Sequence, residues 1–346
     1  MPQENQKFLL LTKLLKINSM KILVTGGAGF IGSHLVDELL GNGHEVVVLD
    51  NLANGKEQNL EEASRNSKFQ FIKGDIVSMK DCLNAMKGIE VVYHLACLGV
   101  RHSIHSPFEN HQVNAEGSLN VLEAARKEGI DMFFYISTSE VYGKTNSFPI
   151  RETDITMPLT VYGSSKLAGE NYAHSYRECY GLNTHVLRIF NNYGPRAHHE
   201  GDSGEIIPRS IVKIIYGENP VIFGKGDVTR DFFFVKDTAK VLSAFIETPP
   251  VERLMNIGTG VEYTMIELLD ALIKLMPTYN AKIDYAEDRP ADVPRLWVEN
   301  KIFKSMNILA EPMSMENGLE ETIAYYVELS KERNLLEEII EKNWIK

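Results

Sequence analysis

Tyr162 and Lys166 stand four residues apart in the run Tyr162-Gly163-Ser164-Ser165-Lys166. On a helix that spacing sets a phenol and an ammonium on one face. A neighbouring cation favours the phenolate, drawing a tyrosine pKa down from about 10 towards a value useful for accepting a proton. Upstream, hydroxyls and a carboxylate gather in Ile136-Ser137-Thr138-Ser139-Glu140. Further upstream lies a glycine-rich turn, Thr25-Gly26-Gly27-Ala28-Gly29-Phe30-Ile31-Gly32. Gly26, Gly29 and Gly32 suit a tight turn that brings backbone against a pyrophosphate at a helix N-terminus. A dinucleotide site combined with a proton-accepting tyrosine implies chemistry that takes a hydride and a proton from a sugar-like alcohol.

Those groups lie far apart along the chain, so a particular set of elements must gather them. Lys21–Thr25, Glu45–Leu49, Phe69–Ile72, Val91–Leu95 and Met132–Ser137 are short apolar runs ended by polar or glycine breaks, the pattern of strands. Helical spacing runs through Ile31–Leu40, Met79–Met86 and Glu116–Lys127 between them. This alternation predicts an α/β fold: a Rossmann-type, doubly wound parallel sheet with helices on both faces. Ligands in such sheets bind beyond the carboxyl ends of the strands, where each of these motifs falls. Past about Pro195 the alternation becomes irregular, with helical patterns at Ile207–Tyr216, Lys236–Ile246, Met265–Leu275 and Glu316–Lys331. A smaller, discontinuous substrate-binding lobe is expected there. The division is 1–19 as an N-terminal extension, 20–195 mainly the dinucleotide domain, and 196–346 mainly the lobe with segments returning to the first domain.

Asp50 ends the second strand about 20 residues beyond the glycine turn, where a carboxylate holds adenosine ribose hydroxyls. Its charge would repel a 2′-phosphate, and Asn51-Leu52 offer no arginine to accept one, so NAD is expected over NADP. Asp75, after the third strand, is placed equally well to meet the adenine or to serve as a solvated turn residue.

The 346 residues carry a formal net charge of −11, which argues against nucleic acid as the main partner. Hydrophobic residues at 44% and charged residues at 24% are ordinary for a soluble protein. No run approaches the roughly 18 apolar residues of a membrane span. Phe8-Leu9-Leu10-Leu11 is short, broken by Lys13 and Lys16, and lacks a signal-peptide cleavage site; it reads as part of a peripheral extension. Cys82, Cys97 and Cys179 are odd in number and have no metal-like spacing, so reduced thiols in a cytoplasmic protein are expected. His198-His199-Glu200 has no helical His-x-x-x-His spacing and no evident third ligand; a loop covering the substrate is expected rather than a metal site.

Taken together, these motifs resemble the extended short-chain dehydrogenase/reductase family, in particular its nucleotide-sugar epimerases and dehydratases. The resemblance runs from Lys21 to about Tyr326. It includes His94-Leu95-Ala96, Asn114, Tyr-x-x-x-Lys, the run Arg188-Ile189-Phe190-Asn191-Asn192-Tyr193-Gly194-Pro195, Thr229-Arg230-Asp231-Phe232, Asn256-Ile257-Gly258 and Arg289-Pro290-x-Asp292. It implies NAD held by Gly26, Gly29, Phe30, Ile31, Gly32, Asp50, Asn51, Asp75, Ile76, Leu95, Ala96 and Asn114, together with Tyr162 and Lys166. Tyr162 would be the base, with Lys166 lowering its pKa and holding the nicotinamide ribose, and Thr138 would bond the reacting hydroxyl. Asn191, Arg230 and Arg289 would meet the diphosphate of a nucleotide sugar, the alternative for both arginines being an ion pair with Asp231 or Asp292. Gly99-Val100-Arg101 resembles uronic-acid 4-epimerases, so Arg101 would face a sugar carboxylate or the pyrophosphate. A homodimer built through the Tyr162 helix is also implied.

Members of this group begin by oxidising the sugar at C4. A 4-epimerase then needs no further acid or base. A 4,6-dehydratase needs a base at C5 and an acid for the departing C6 hydroxyl. Glu140 is placed to be that base, and the reading leans to a 4,6-dehydratase on that ground. Against it, Ser139 stands where dTDP-glucose 4,6-dehydratases carry an aspartate. A 4-epimerase remains the alternative, with UDP-glucuronate decarboxylation third because Tyr-Gly-Ser-Ser-Lys replaces that group's Tyr-Asp-Glu-Gly-Lys. An NADH-releasing dehydrogenase and, from a different class, a non-catalytic NAD-binding scaffold complete the options.

Overall fold

The computed structural model describes residues 19–345; the expected extension therefore lies almost wholly outside the described residues. Seven parallel strands form the central sheet: β1 (Lys21–Thr25), β2 (Glu45–Asp50), β3 (Phe69–Lys73), β4 (Val91–His94), β5 (Met132–Thr138), β6 (Thr184–Ile189) and β7 (Leu254–Ile257). Their order is β7-β6-β5-β4-β1-β2-β3. The winding reverses between β1 and β4, where Thr25 lies opposite His94. That reversal opens a crevice at the strands' carboxyl ends. Strands covered on both faces must be apolar on both, which is why β1, β2 and β4 read as unbroken hydrophobic runs.

One face is covered by α1 (Phe30–Gly41), whose Leu35, Val36 and Leu39 share a core with Ile22, Val24, Val46 and Val48. The other carries α2 (Met79–Ala85), α3 (Ser118–Glu128) and α4 (Val161–Tyr180), with Cys82, Val121, Leu122 and Ala173 packed against Leu23, Val92, Phe133 and Tyr135.

The smaller lobe has its own core. Ile211 and Val212 from helix Ile206–Ile215, Leu268, Leu269 and Leu272 from helix Met265–Leu275, and Leu319 and Tyr326 from helix Met315–Leu329 meet Phe232 and Phe234. The lobe is discontinuous because the chain goes back to the sheet in its middle. Strand Phe232–Phe234 runs beside Asn191–Tyr193, α5 (Val235–Ala244) joins the α1 core through Val241 and Leu242, and β7 closes the sheet edge beside β6.

Candidate active site

The glycine turn is built as its spacing requires. Gly26 has φ +70°, and a Cβ there would stand 2.7 Å from Ala96 backbone atoms. A Cβ on Gly32 would meet the Gly26 carbonyl oxygen at 2.2 Å, so helix and strand could not approach as closely as they do. Beside the turn, Asp50 accepts from Ala28 N at 3.0 Å and from Leu52 N at 2.8 Å. Each carboxylate oxygen keeps a lone pair for a further donor such as a ribose hydroxyl. Asp75 lines the cavity, and its oxygens accept from Val77 N and Asn51 Nδ2, each at 2.9 Å.

A cavity of about 610 Å³ runs from this turn across the strand ends into the lobe. Gly26, Gly29, Phe30, Ile31, Gly32, Asp50, Asn51, Asp75, Ile76, Leu95 and Ala96 line one end, and Thr138, Ser139, Glu140, Tyr162 and Lys166 the middle. Arg101, Asn191, Arg230 and Arg289 are in the wall towards the lobe. Asn114 is engaged with backbone. It is buried away from the cavity, giving Nδ2 to Leu98 O at 2.9 Å and accepting from Leu98 N at 2.8 Å. An amide that both donates and accepts can clip a backbone pair, and Asn114 thereby braces the loop after β4.

Tyr162 and Lys166 sit on the first turns of α4, which Thr160 caps by accepting from Gly163 N at 3.1 Å. Thr138 ends β5 and its hydroxyl bonds the Tyr162 phenol. The lysine acts differently from the expectation. Its ammonium donates to Ile136 O at 2.6 Å and lies 4.5 Å from the Tyr135 ring centroid. Burial, then Cys97, push the Tyr162 phenol well above its ordinary pKa, against the pull of the Thr138 hydroxyl. Burial thus favours the protonated phenol.

Glu140 follows Thr138 on the same strand end. Burial raises its carboxyl pKa against the pull of Arg230, and among the described residues the carboxylate makes no hydrogen bond or ion pair. The neighbouring charges are paired. Arg230 gives Nη2 to Asp292 at 2.6 Å and Nη1 to Val293 O at 2.7 Å, the ion-pair alternative for that arginine. Asp231 is engaged elsewhere, accepting from Thr259 N at 2.9 Å and Gly260 N at 2.8 Å. Arg101 lies 3.3 Å from Glu205. Arg289 has no ion pair among the described residues; burial, and then Arg101, lower its pKa to about 9. A desolvated guanidinium without a carboxylate is suited to phosphate oxygens.

His198 lines the cavity, and so do Asp202 and Glu205 further along the same loop. His199, Glu200 and Glu338 bring ligand-capable atoms within 4.8 Å of one another, a juxtaposition no local spacing reveals. Glu200 is already matched by Lys56 and His198, each at 2.8 Å, which against the effect of burial hold it well below the usual carboxylate range. At the centre of the cluster burial lowers the pKa of His199. Phe223 and Trp344 also line the cavity, and no local pattern marks them or Glu205 as site residues. Beneath the site, Arg188 pairs with Glu170 at 2.7 Å and donates to Tyr142 Oη at 2.8 Å, which in turn donates to Asn256 Oδ1 at 2.7 Å.

With this geometry in place, the relatives are informative. The profile of the NAD dependent epimerase/dehydratase family matches residues 22–258, and the chain belongs to that family. A putative UDP-glucose 4-epimerase of Methanocaldococcus jannaschii is 36% identical over 306 residues, 87% of this chain and 97% of the relative. The crystal structure of UDP-glucuronic acid 4-epimerase from Bacillus cereus, in complex with UDP-glucuronic acid and NAD, aligns with TM-score 0.82 at 33% identity, over 90% of this chain and 100% of that one. The dTDP-glucose 4,6-dehydratase DesIV of Streptomyces venezuelae, with NAD and TYD bound, gives TM-score 0.85 at 28% identity, over 92% and 100%. The protein is thus an enzyme of the nucleotide-sugar epimerase/dehydratase class, and its cofactor is NAD. The Gly26 approach to Ala96 and the spare lone pairs of Asp50 fit that cofactor.

Proposed function

We propose that this enzyme inverts C4 of a UDP-hexose or UDP-uronate, a 4-epimerase reaction. The observation that carries the reading is the missing acid. Among the described residues Glu140 is the carboxylate that bears on Tyr162, and Ser139 fills the position where a 4,6-dehydratase needs a carboxylic acid for C6. Asp292 and Glu205, whose charges bear on Glu140, are ion-paired with Arg230 and Arg101. A serine hydroxyl is too weak an acid to replace them.

Thr138 would orient the C4 hydroxyl and Tyr162 would accept its proton, then return it after the sugar has turned its other face. Lys166 would anchor the cofactor ribose beside Tyr162. Bound NAD supplies a reversible hydride acceptor whose positive ring favours the phenolate that burial opposes. Arg289 would take the diphosphate, with the Asn191 amide nitrogen as a second donor. The homodimer belongs to the same proposal and is read by sedimentation.

The 4,6-dehydratase reading keeps one observation in its favour: the unpaired Glu140 carboxylate with a raised pKa, suited to taking a C5 proton. Incubation with UDP-hexoses, UDP-uronates and dTDP-glucose, followed by mass spectrometry and NMR, separates the two. An isomer of unchanged mass supports epimerisation. Loss of one water from any of these sugars refutes it in favour of elimination.

A further inference from the structure

We propose that the chain's last residues form the wall of the nucleobase subsite and that Trp344 stacks on the substrate's pyrimidine. The inference rests on the nucleotide-sugar reading above and extends it to a residue outside the recognised motifs.

The order of groups along the cavity sets the argument. Tyr162, Thr138 and Glu140 mark where the sugar's C4 would sit. Arg230 and Arg101 bear on Glu140, and Arg101 in turn on Arg289, the one of the three cavity arginines without an ion pair among the described residues. After Arg289 the wall becomes aromatic. Its guanidinium carbon lies 4.4 Å from the Phe223 ring centroid and 5.6 Å from that of Trp344. The two rings meet edge to face at 84°, centroids 4.9 Å apart. A nucleoside diphosphate sugar has the same sequence of parts: a polar sugar, a dianionic diphosphate, then a flat base with a π face. With the sugar at Tyr162 and the diphosphate at Arg289, the base reaches the ring pair.

The tail bearing Trp344 is held in place rather than laid over the surface. Buried Asn343 donates Nδ2 to the carbonyls of Gly201 at 3.3 Å, Asp202 at 3.4 Å and Gly204 at 3.2 Å. Buried Arg209 donates to Ile340 O at 3.0 Å and Glu341 O at 3.1 Å. Removing the tail would leave a buried guanidinium without these acceptors, a costly state. The same contacts tie the tail to the loop bearing Asp202 and Glu205, so base recognition and the Arg101–Glu205 pair share one support.

The chain contains two tryptophans, Trp297 and Trp344, so Trp297→Phe leaves Trp344 as the sole indole. In that variant of the NAD-loaded enzyme, UDP should change the Trp344 emission, whereas inorganic pyrophosphate should change it far less. By calorimetry, Trp344→Ala should weaken UDP about 10-fold or more, leave pyrophosphate affinity within about 2-fold, and Trp344→Phe should restore most of the loss. If the parent protein binds UDP but the emission does not respond and Trp344→Ala binds UDP as tightly, the tail is only structural and the inference fails. Equal weakening of UDP and pyrophosphate also overturns it. A parent protein that binds no UDP at all refutes the nucleotide-sugar reading itself, and the two failures are thereby distinguished.

Discussion

A ring without its oxygen cannot accept the C4 proton, so Tyr162→Phe should lower kcat by about 10²–10⁴-fold while NAD stays bound. Turnover of a UDP-sugar, with NAD content measured after denaturing the purified protein, checks both halves. Glu140→Gln separates the two reactions at the same scale. In an epimerase it should cost far less than the roughly 10²-fold or more expected for loss of a general base, and in a dehydratase it should stop elimination. Tyr162, Lys166 and the glycine turn were legible because their geometry is local: a helical repeat and a strand-to-helix turn. The partners that set their chemistry were not. Arg101 meets Glu205 across 104 residues, and Lys166 turns to Ile136 O, neither of which any spacing encodes. The bonds of Asn114 to Leu98 are of the same kind, set by the fold and not by its motif.

The elements that bring Thr138 and Tyr162 together depend on a buried polar network. Arg188 on β6, Glu170 on α4, Tyr142 after β5 and Asn256 on β7 are linked by hydrogen bonds, and Ser137 also donates to Glu170. Arg188→Ala would leave a buried carboxylate unpaired, and about 3–5 kcal/mol of stability should be lost. Urea unfolding followed by circular dichroism measures it. The first five strands were readable as apolar runs, with ends shifted by a residue or so. β6 was not, because Thr184, His185 and Arg188 interrupt its pattern. Thr184 is satisfied by Ala173 O at 2.8 Å and Arg188 by Glu170, so a buried strand here carries polar residues that only tertiary partners explain.

Across the whole molecule, buried histidines govern the response to acid. Burial lowers His34 and His185 from 6.5 to about 4 and His94 to about 3. His94 is held between the Thr25 and Ser118 hydroxyls at 2.7 and 2.9 Å, and His34 bonds Pro195 O at 2.9 Å. The unfolded chain therefore binds more protons than the folded one below 6.5, so stability should fall as pH drops from 6.5 towards 4. Melting temperatures across that window test the sign; a flat profile would mean the three rings are not buried neutral. The lobe's helices were foreseeable from their periodicity, but its interleaving with the sheet was less so, since β7 is only four residues long and is fixed by its pairing with β6.

Lys56 follows the loop at the adenosine end, and Glu200 belongs to the loop over the opposite side of the cavity; they meet at 2.8 Å. The bridge ties the chain after Gly55 to the loop of His198, both of which line the cavity, so nucleotide release that spreads these loops would meet an electrostatic threshold. Both side chains are partly open to water, so added electrolyte weakens their attraction. Exchange of labelled for resident NAD should accordingly quicken as ionic strength rises, and Lys56→Ala should already be fast in dilute buffer.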